Sequence, residues 1–286
     1  MTDIMVALIG GGGVTGRPVI RAFQKRGVRV RALTSRADRP SAFPDHVEIR
    51  SANLLDVDSL AAGVESADTI HYIPPSFDPR EEEYARNVIA AAERAGIPRI
   101  VYHSVLHAPT PDMPHHFRKS QVELLLRHSR LEWTVLQPAM YSQTALAFLD
   151  RDVGELTPAF DPTRPFTPIH DGDLGEAAAI VHTSGRHGFA TYELAGTECL
   201  DFAAMGERLG ALLGCTIATR KVPADVLARR LAAARRYTDE QVRELRLMFD
   251  HYDSYGLVGN GNVLRMILGR EPTDFTGAMR ESLAAR

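Results

Sequence analysis

The sequence predicts an α/β fold: a doubly wound parallel sheet joined to a smaller, mostly helical C-terminal lobe. Three observations predict it. Short apolar runs alternate with amphipathic helical stretches from residue 4 to residue 143, with no hairpin signal between them. The first run, residues 6–9, leads into glycines at 10, 11, 12, 13 and 16 and then straight into a helical pattern. Beyond residue 199 the patterning becomes mostly helical. Strand–helix alternation calls for crossover connections, and these place parallel strands in one sheet covered on both faces.

The glycine-rich turn organises the N-terminal half. After Gly16 the apolar residues Val19, Ile20 and Phe23 share one helical face, and Arg17, Arg21 and Gln24 the other. Gly10, Gly13 and Gly16 form G-x-x-G-x-x-G, while Gly11, Gly13 and Gly16 fit the commoner G-x-G-x-x-G, so the register is open. Glycines let backbone N–H groups approach phosphate oxygens, and the helix dipole favours the negative charge. Such a turn, with Val14 and Thr15 inside it, suits the diphosphate of a dinucleotide. No Gly-Lys-Ser/Thr follows, which argues against a nucleoside-triphosphatase loop.

A second strand, residues 28–33, ends at Thr34 and Ser35, with Arg36, Asp38 and Arg39 beyond. An acidic residue at this place hydrogen-bonds the ribose 2′-hydroxyl of NAD, whereas arginine accommodates a 2′-phosphate. Arg36 and Arg39, with Thr34 and Ser35 as hydroxyl donors, favour NADP(H); Asp38 comes late for the acidic role. The turn after strand 47–50 offers Asn53 and Leu54 to the adenine, and Asp56 is placed to cap a helix with Leu60 and Val64 inward. Strand 68–73 ends at Pro74 and Pro75; the loop beyond, with Phe77, should lie over the centre of the cofactor.

An amphipathic helix over 81–95 is stopped by Gly96 and Pro98, and strand 99–105 follows. Ser104 near its end is a candidate hydrogen-bond donor to a substrate carbonyl. A proline- and histidine-bearing loop, 107–116, leads to a helix from about His116 to 128 that carries Lys119. Strand 131–136 ends in Pro138, Met140 and Tyr141; the last two face the nicotinamide in this reading. A Pro- and Phe-bearing loop over 160–168, with Phe166, closes one side. Asp171 and Asp173 are explained better as helix caps than as an acid–base pair. The helix after them and a strand at 192–195 add to the main sheet.

The expected domains are residues 1–198, a dinucleotide-binding domain whose loop 151–166 joins the substrate lobe, and 199–286, a mostly helical substrate-binding lobe. In that lobe the pattern gives helices over 202–213, 224–234 and 238–257, the last opened by Thr238-Asp-Glu-Gln241, and a strand over 217–222. Phe249, Tyr252 and Tyr255 are candidates for the wall of an apolar pocket, with Phe77, His107, Met140, Tyr141 and Phe166 also assigned to the substrate.

A formal net charge of -3 carries no basic excess for nucleic acid or anionic membrane. Cys199 and Cys215 are too few for a disulfide framework and fit a reducing cytoplasm. The amino terminus has no apolar signal core, and no run approaches the ~18 apolar residues of a membrane span. His103, His107, His115 and His116 lack carboxylate or cysteine company at zinc spacing, so no metal is expected. The expected partner is a small hydrophobic substrate, and the chain is expected in the cytoplasm as a monomer or homodimer.

Gly10, Gly13 and Gly16, Arg36 after the second strand, Lys119, and Trp133-Thr-Val-Leu-Gln-Pro138 together resemble the NmrA-like branch of the atypical short-chain dehydrogenases/reductases. The likeness continues through Pro168-Ile-His-Asp-Gly-Asp-Leu-Gly175, Tyr192-Glu-Leu-Ala-Gly196 and Gly269-Arg-Glu-Pro-Thr-Asp-Phe275. It implies a Rossmann-type fold over essentially the whole chain and NADP(H) as cofactor. The family mixes quinone, azo and ether reductases with catalytically silent NADP(H)-sensing regulators. Its ordinary cousins use Tyr-x-x-x-Lys, and here His115 stands four before Lys119. The resemblance therefore implies that Lys119 holds the cofactor ribose, while His115, His116 or water supplies the proton and Ser104 or Tyr141 orients the acceptor. The expected activity is an NADPH-dependent reductase of a quinone-, enone- or azo-like acceptor. A redox sensor without turnover and a non-redox isomerase, lyase or cyclase are the alternatives.

Overall fold

The computed structural model describes residues 4–35, 43–150, 152–235 and 237–285. Six strands follow the alternation: β1 (Met5–Ile9), β2 (Arg29–Thr34), β3 (Glu48–Ser51), β4 (Thr69–Tyr72), β5 (Arg99–His103) and β6 (Glu132–Pro138). Between them run α1 (Gly16–Lys25), α2 (Val57–Val64), α3 (Glu81–Arg94) and α4 (Pro114–Arg127). Each ladder joining β1 through β6 is parallel, and with β9 (Ala190–Leu194) the sheet order is β3-β2-β1-β4-β5-β6-β9. The first six strands have the order of doubly wound dinucleotide-binding sheets, whose direction of winding reverses between β1 and β4. α6 (Asp171–Thr183) precedes β9, as the patterning of the second half required.

Strand alternation sorts the core onto two faces. Ile70 and Tyr72 on β4 join Leu60, Val88, Ile100, Tyr102 and Val122 in the cluster beneath α2, α3 and α4. His71, between them, turns to the other face, where its ring meets Phe23 of α1 edge-on and His182 of α6. A Cβ on Gly175 would come within 2.6 Å of the Pro18 carbonyl oxygen, so glycine lets α6 lie close against α1. His71, His103 and His182 are all buried there. His71 Nδ1 and His182 Nε2 share a hydrogen bond of 3.1 Å, and His182 Nδ1 lies 3.3 Å from the Thr69 hydroxyl. Burial in this apolar layer disfavours the imidazolium, lowering His71 to about 3 and holding His103 and His182 well below the ordinary histidine range.

The chain forms two compact units. The first combines the chain up to Pro109 with Arg118–Gln137 and Gly172–Tyr192; the second combines Thr110–Phe117, Pro138–Asp171 and the chain from Glu193 onward. The second unit thus draws on Pro138–Asp171, the stretch that contains the loop 151–166, and on Thr110–Phe117 as well as on the C-terminal part. It contains α5 (Ala145–Phe148), an antiparallel pair β7 (Leu149–Asp150) and β8 (Glu155–Leu156), and β10 (Ala218–Thr219). Its remaining helices are α7 (Phe202–Leu213), α8 (Ala224–Arg235), α9 (Asp239–Tyr255), α10 (Asn262–Leu268) and α11 (Phe275–Ala284). β10 is shorter than the strand expected over 217–222, although the backbone N–H groups of Ala218, Arg220 and Val222 donate in turn to the carbonyls of Gly154, Leu156 and Pro158, continuing the extended pairing beyond it.

Local signals set these boundaries. Asp56 accepts from the backbone N–H groups of Asp58 and Ser59 and caps α2, Gly214 ends α7 at φ 70°, and Thr238 with Gln241 forms the reciprocal cap of α9. α4 begins at Pro114, two residues ahead of the expected start, since proline tolerates the first helical turn.

Candidate dinucleotide site and its polar network

The turn from β1 to α1 lies at the switch point of the sheet, where open α/β sheets bind ligands beyond the carboxyl ends of their strands. Gly10 has a φ of 85°, and a Cβ there would collide with the carbonyl oxygen of Ile73 just past β4. A Cβ on Gly16 would collide with the backbone of Gly11, so glycine lets the start of α1 sit against the end of β1. Gly13 differs: its added Cβ would meet only the Gly10 carbonyl, at an ordinary 3.5 Å. The fold therefore needs glycine at 10 and 16, whereas Gly13 is exposed and leaves backbone room for a ligand. This is the cradle that a dinucleotide diphosphate requires. Thr15 makes no side-chain cap, and the first turn of α1 holds no acidic residue to oppose an anion. Val14 is 63% exposed, and the ring of Phe43 lies beside positions 11 and 12.

The neighbouring strand ends supply the rest of the edge. Thr34 is half-buried and Ser35 exposed after β2, while Arg36 and Arg39 lie outside the described residues. After β3 Asn53 is exposed, its side-chain oxygen accepting from the Leu55 N–H at 3.0 Å, and Leu54 is half-buried. Pro74 is buried and Pro75 exposed beyond β4; Phe77 is half-buried at φ 58°.

Ser104, just past β5, is buried and donates its hydroxyl proton to Glu123 Oε1 at 2.6 Å. Gln137 Nε2 donates to the same oxygen at 2.7 Å. The expected carbonyl donor is thus engaged by a carboxylate of α4.

Lys119 is held by a second buried carboxylate. Its Nζ donates to Glu81 Oε1 at 2.7 Å, and the hydroxyl of Tyr102 donates to the same oxygen at 2.7 Å. Glu81 is fully buried at the first turn of α3, where the helix dipole favours a carboxylate. Burial, with Glu81 beside it, pushes the Tyr102 phenol well up, so it remains a donor. No sequence motif assigns Glu81, Tyr102, Glu123 or Gln137 to the site. Only the helical spacing of Lys119 and Glu123 on α4 hinted at a shared face.

In the second unit, His115 and His116 are buried in the first turn of α4, with ring centroids 4.4 Å apart. His107, in the first unit, is exposed at φ 57°. Pro138 is buried, and Met140 and Tyr141 are half-buried; Tyr141 forms a bridge with Ile169. Phe166, Phe249 and Tyr252 are buried in an aromatic core with Phe148, Phe160 and Phe202. These rings spend their faces on one another, and Tyr255 alone of the helical trio is exposed, at 67%. Among the described residues no three His, Cys, Asp or Glu side chains converge as metal ligands, and no helix is long and apolar enough to cross a membrane.

Comparison with known proteins agrees with this geometry. Quinone oxidoreductase 2 of Escherichia coli K12 is 26% identical over 197 residues, covering 67% of this chain and 68% of the relative. The crystal structure of the E. coli NADPH-dependent quinone oxidoreductase QOR2 with NADPH superposes with a TM-score of 0.82 at 22% identity, covering 98% of this chain and all of the other. NmrA, a negative transcriptional regulator crystallised with NAD, superposes at 0.79 and 19% identity, covering 100% of this chain and 97% of its own. The NAD(P)H-binding family matches residues 10–154, the stretch holding the glycine turn, the Glu81–Lys119 pair and Ser104, and the chain belongs to that family.

Proposed function

We propose that the protein is an NADPH-dependent reductase of a small hydrophobic acceptor of the quinone type. The observation that carries this reading is Lys119, whose side chain is only 13% exposed and whose Nζ is anchored by a buried carboxylate, on the helix that follows β5. A relative named a quinone oxidoreductase and the NADPH-bound structure of such an enzyme support the reaction class.

In this reading the backbone of residues 10–16 takes the diphosphate, with Gly13 giving the closest approach and Val14 and Thr15 flanking it. Thr34, Ser35, Arg36 and Arg39 take the 2′-phosphate, Asn53 and Leu54 the adenine, and Pro74 and Pro75 the centre of the dinucleotide. Lys119 holds the nicotinamide ribose. Bound NADPH supplies a hydride; the quinone gains it together with one proton, giving hydroquinone and NADP+. Ser104, held by Glu123 together with Gln137, is a fixed polar wall of the site. With histidine in place of the usual tyrosine acid, and His115 buried against His116, water is the proton source. The same substitution favours the second reading, a dinucleotide-responsive regulator without turnover.

The test is NADPH oxidation with menadione. The reductase reading expects saturable loss of NADPH and formation of menadiol. Saturable NADPH binding without any turnover of menadione, enones or azo dyes would replace it with the regulator.

A further inference from the structure

We propose that Glu81 is the positioning residue of the site: a buried carboxylate whose role is to hold the Lys119 ammonium in one orientation toward the cofactor. The inference rests on the reading that Lys119 holds the cofactor ribose.

Three observations carry it. Glu81 has no exposed surface, while the Lys119 side chain, whose Nζ it binds at 2.7 Å, is 13% exposed, so the pair is anchored in the interior and reaches the surface only on the lysine side. Tyr102 donates to the same oxygen, Oε1, at 2.7 Å, fixing the carboxylate from the strand side. The second oxygen, Oε2, is buried with no hydrogen-bond partner, as is the hydroxyl of Tyr72 on the adjacent strand. A pair kept only for stability would be expected to satisfy both oxygens, because each unmet buried acceptor is costly. Here the cost is carried at a point where one oxygen is fully committed to orienting a lysine. A lysine side chain has four rotatable bonds and loses much of its freedom when fixed. Fixing it before the cofactor arrives removes that loss from binding.

Sequence could not show this. Glu81 and Lys119 are separated by 38 residues, and an acidic residue opening a helix is ordinary.

The test is a double-variant cycle read by calorimetric titration with NADPH at pH 7, with thermal unfolding recorded alongside. Glu81→Gln keeps the shape and an acceptor for Tyr102 but turns an uncharged group to Lys119. The proposal expects Glu81→Gln and Lys119→Met each to weaken NADPH about tenfold or more, and the double variant to bind no worse than Lys119→Met alone. It further expects Glu81→Asp to recover part of the loss. If Glu81→Gln does not fold, the double variant, which leaves neither charge in the interior, carries the comparison. Wild-type affinity in Glu81→Gln with only a lowered unfolding temperature would overturn the proposal, as would additive losses in the cycle. Failure of the wild-type chain to reduce menadione, enones and azo dyes would sink the reductase reading alone, since the cycle reads binding and not turnover.

Discussion

Acid should weaken this fold through its buried histidines before it reaches the carboxylates. His71 is lowered from 6.5 to about 3 by burial. Its imidazole is neutral in the folded chain, while the unfolded chain binds a proton below pH 6.5. Between those values the unfolded state holds about one more proton, so stability is complete above pH 6.5 and falls by about 1.4 kcal/mol per unit as pH drops. From pH 7 to pH 5 His71 alone removes about 2 kcal/mol, against a typical total of about 5–15. His103 and His182 are shifted the same way by the same cause and add to the loss. The assay is urea unfolding at pH 7 and pH 5, comparing wild type with His71→Leu. Any packing defect of the variant appears at both pH values and cancels in the difference. The wild type should lose stability steeply over this interval, and the variant should lose about 2 kcal/mol less. Equal losses in the two proteins would refute the assignment of His71 as a neutral buried imidazole.

Further outcomes follow from the same geometry. Gly13→Ala should separate fold from binding: the position is open to a Cβ, so urea unfolding should show the free chain unchanged or stabilised by up to about 1 kcal/mol, while calorimetry shows NADPH weakened at least about tenfold. Gly10→Ala should instead destabilise the free chain by about 1–3 kcal/mol, because φ 85° and the Ile73 carbonyl both oppose a side chain. Tyr102→Phe removes a donor from a buried carboxylate and should cost about 1–3 kcal/mol in urea unfolding. Arg36→Ala should shift the ratio of NADPH to NADH affinity toward NADH, measured by parallel titrations.

The doubly wound sheet was legible because its signals are local. Gly16, Asp56, Gly214 and the Thr238–Gln241 cap each act within a few residues of themselves, while Gly10 combines a local φ of 85° with a close approach to Ile73 just past β4, and the structure uses each one. Gly10, Gly11 and Gly16 are all tightly packed, a Cβ on Gly11 meeting the Leu8 side chain at 2.9 Å, so the turn accommodates both glycine spacings. What the sequence concealed depends on distant pairing. β7 and β8 are two residues each and pair only within the second unit, too short for any periodicity to show. The stripe of Phe249 and Tyr252 reads equally as core or as pocket wall, and only the position of Phe148, Phe160, Phe166 and Phe202 decides how it packs. His71 and His182, 111 residues apart, and Glu81 with Lys119 are invisible for the same reason.

The central claim is that the backbone of the β1–α1 turn grips a dinucleotide diphosphate. Calorimetric titration of the wild-type chain with NADPH, repeated with Gly13→Ala, tests it most directly. The predicted result is saturable heat for the wild type and a marked loss of affinity in a variant that unfolds at the same urea concentration or higher. No heat from either NADPH or NADH, or equal affinity in the two proteins, would contradict it.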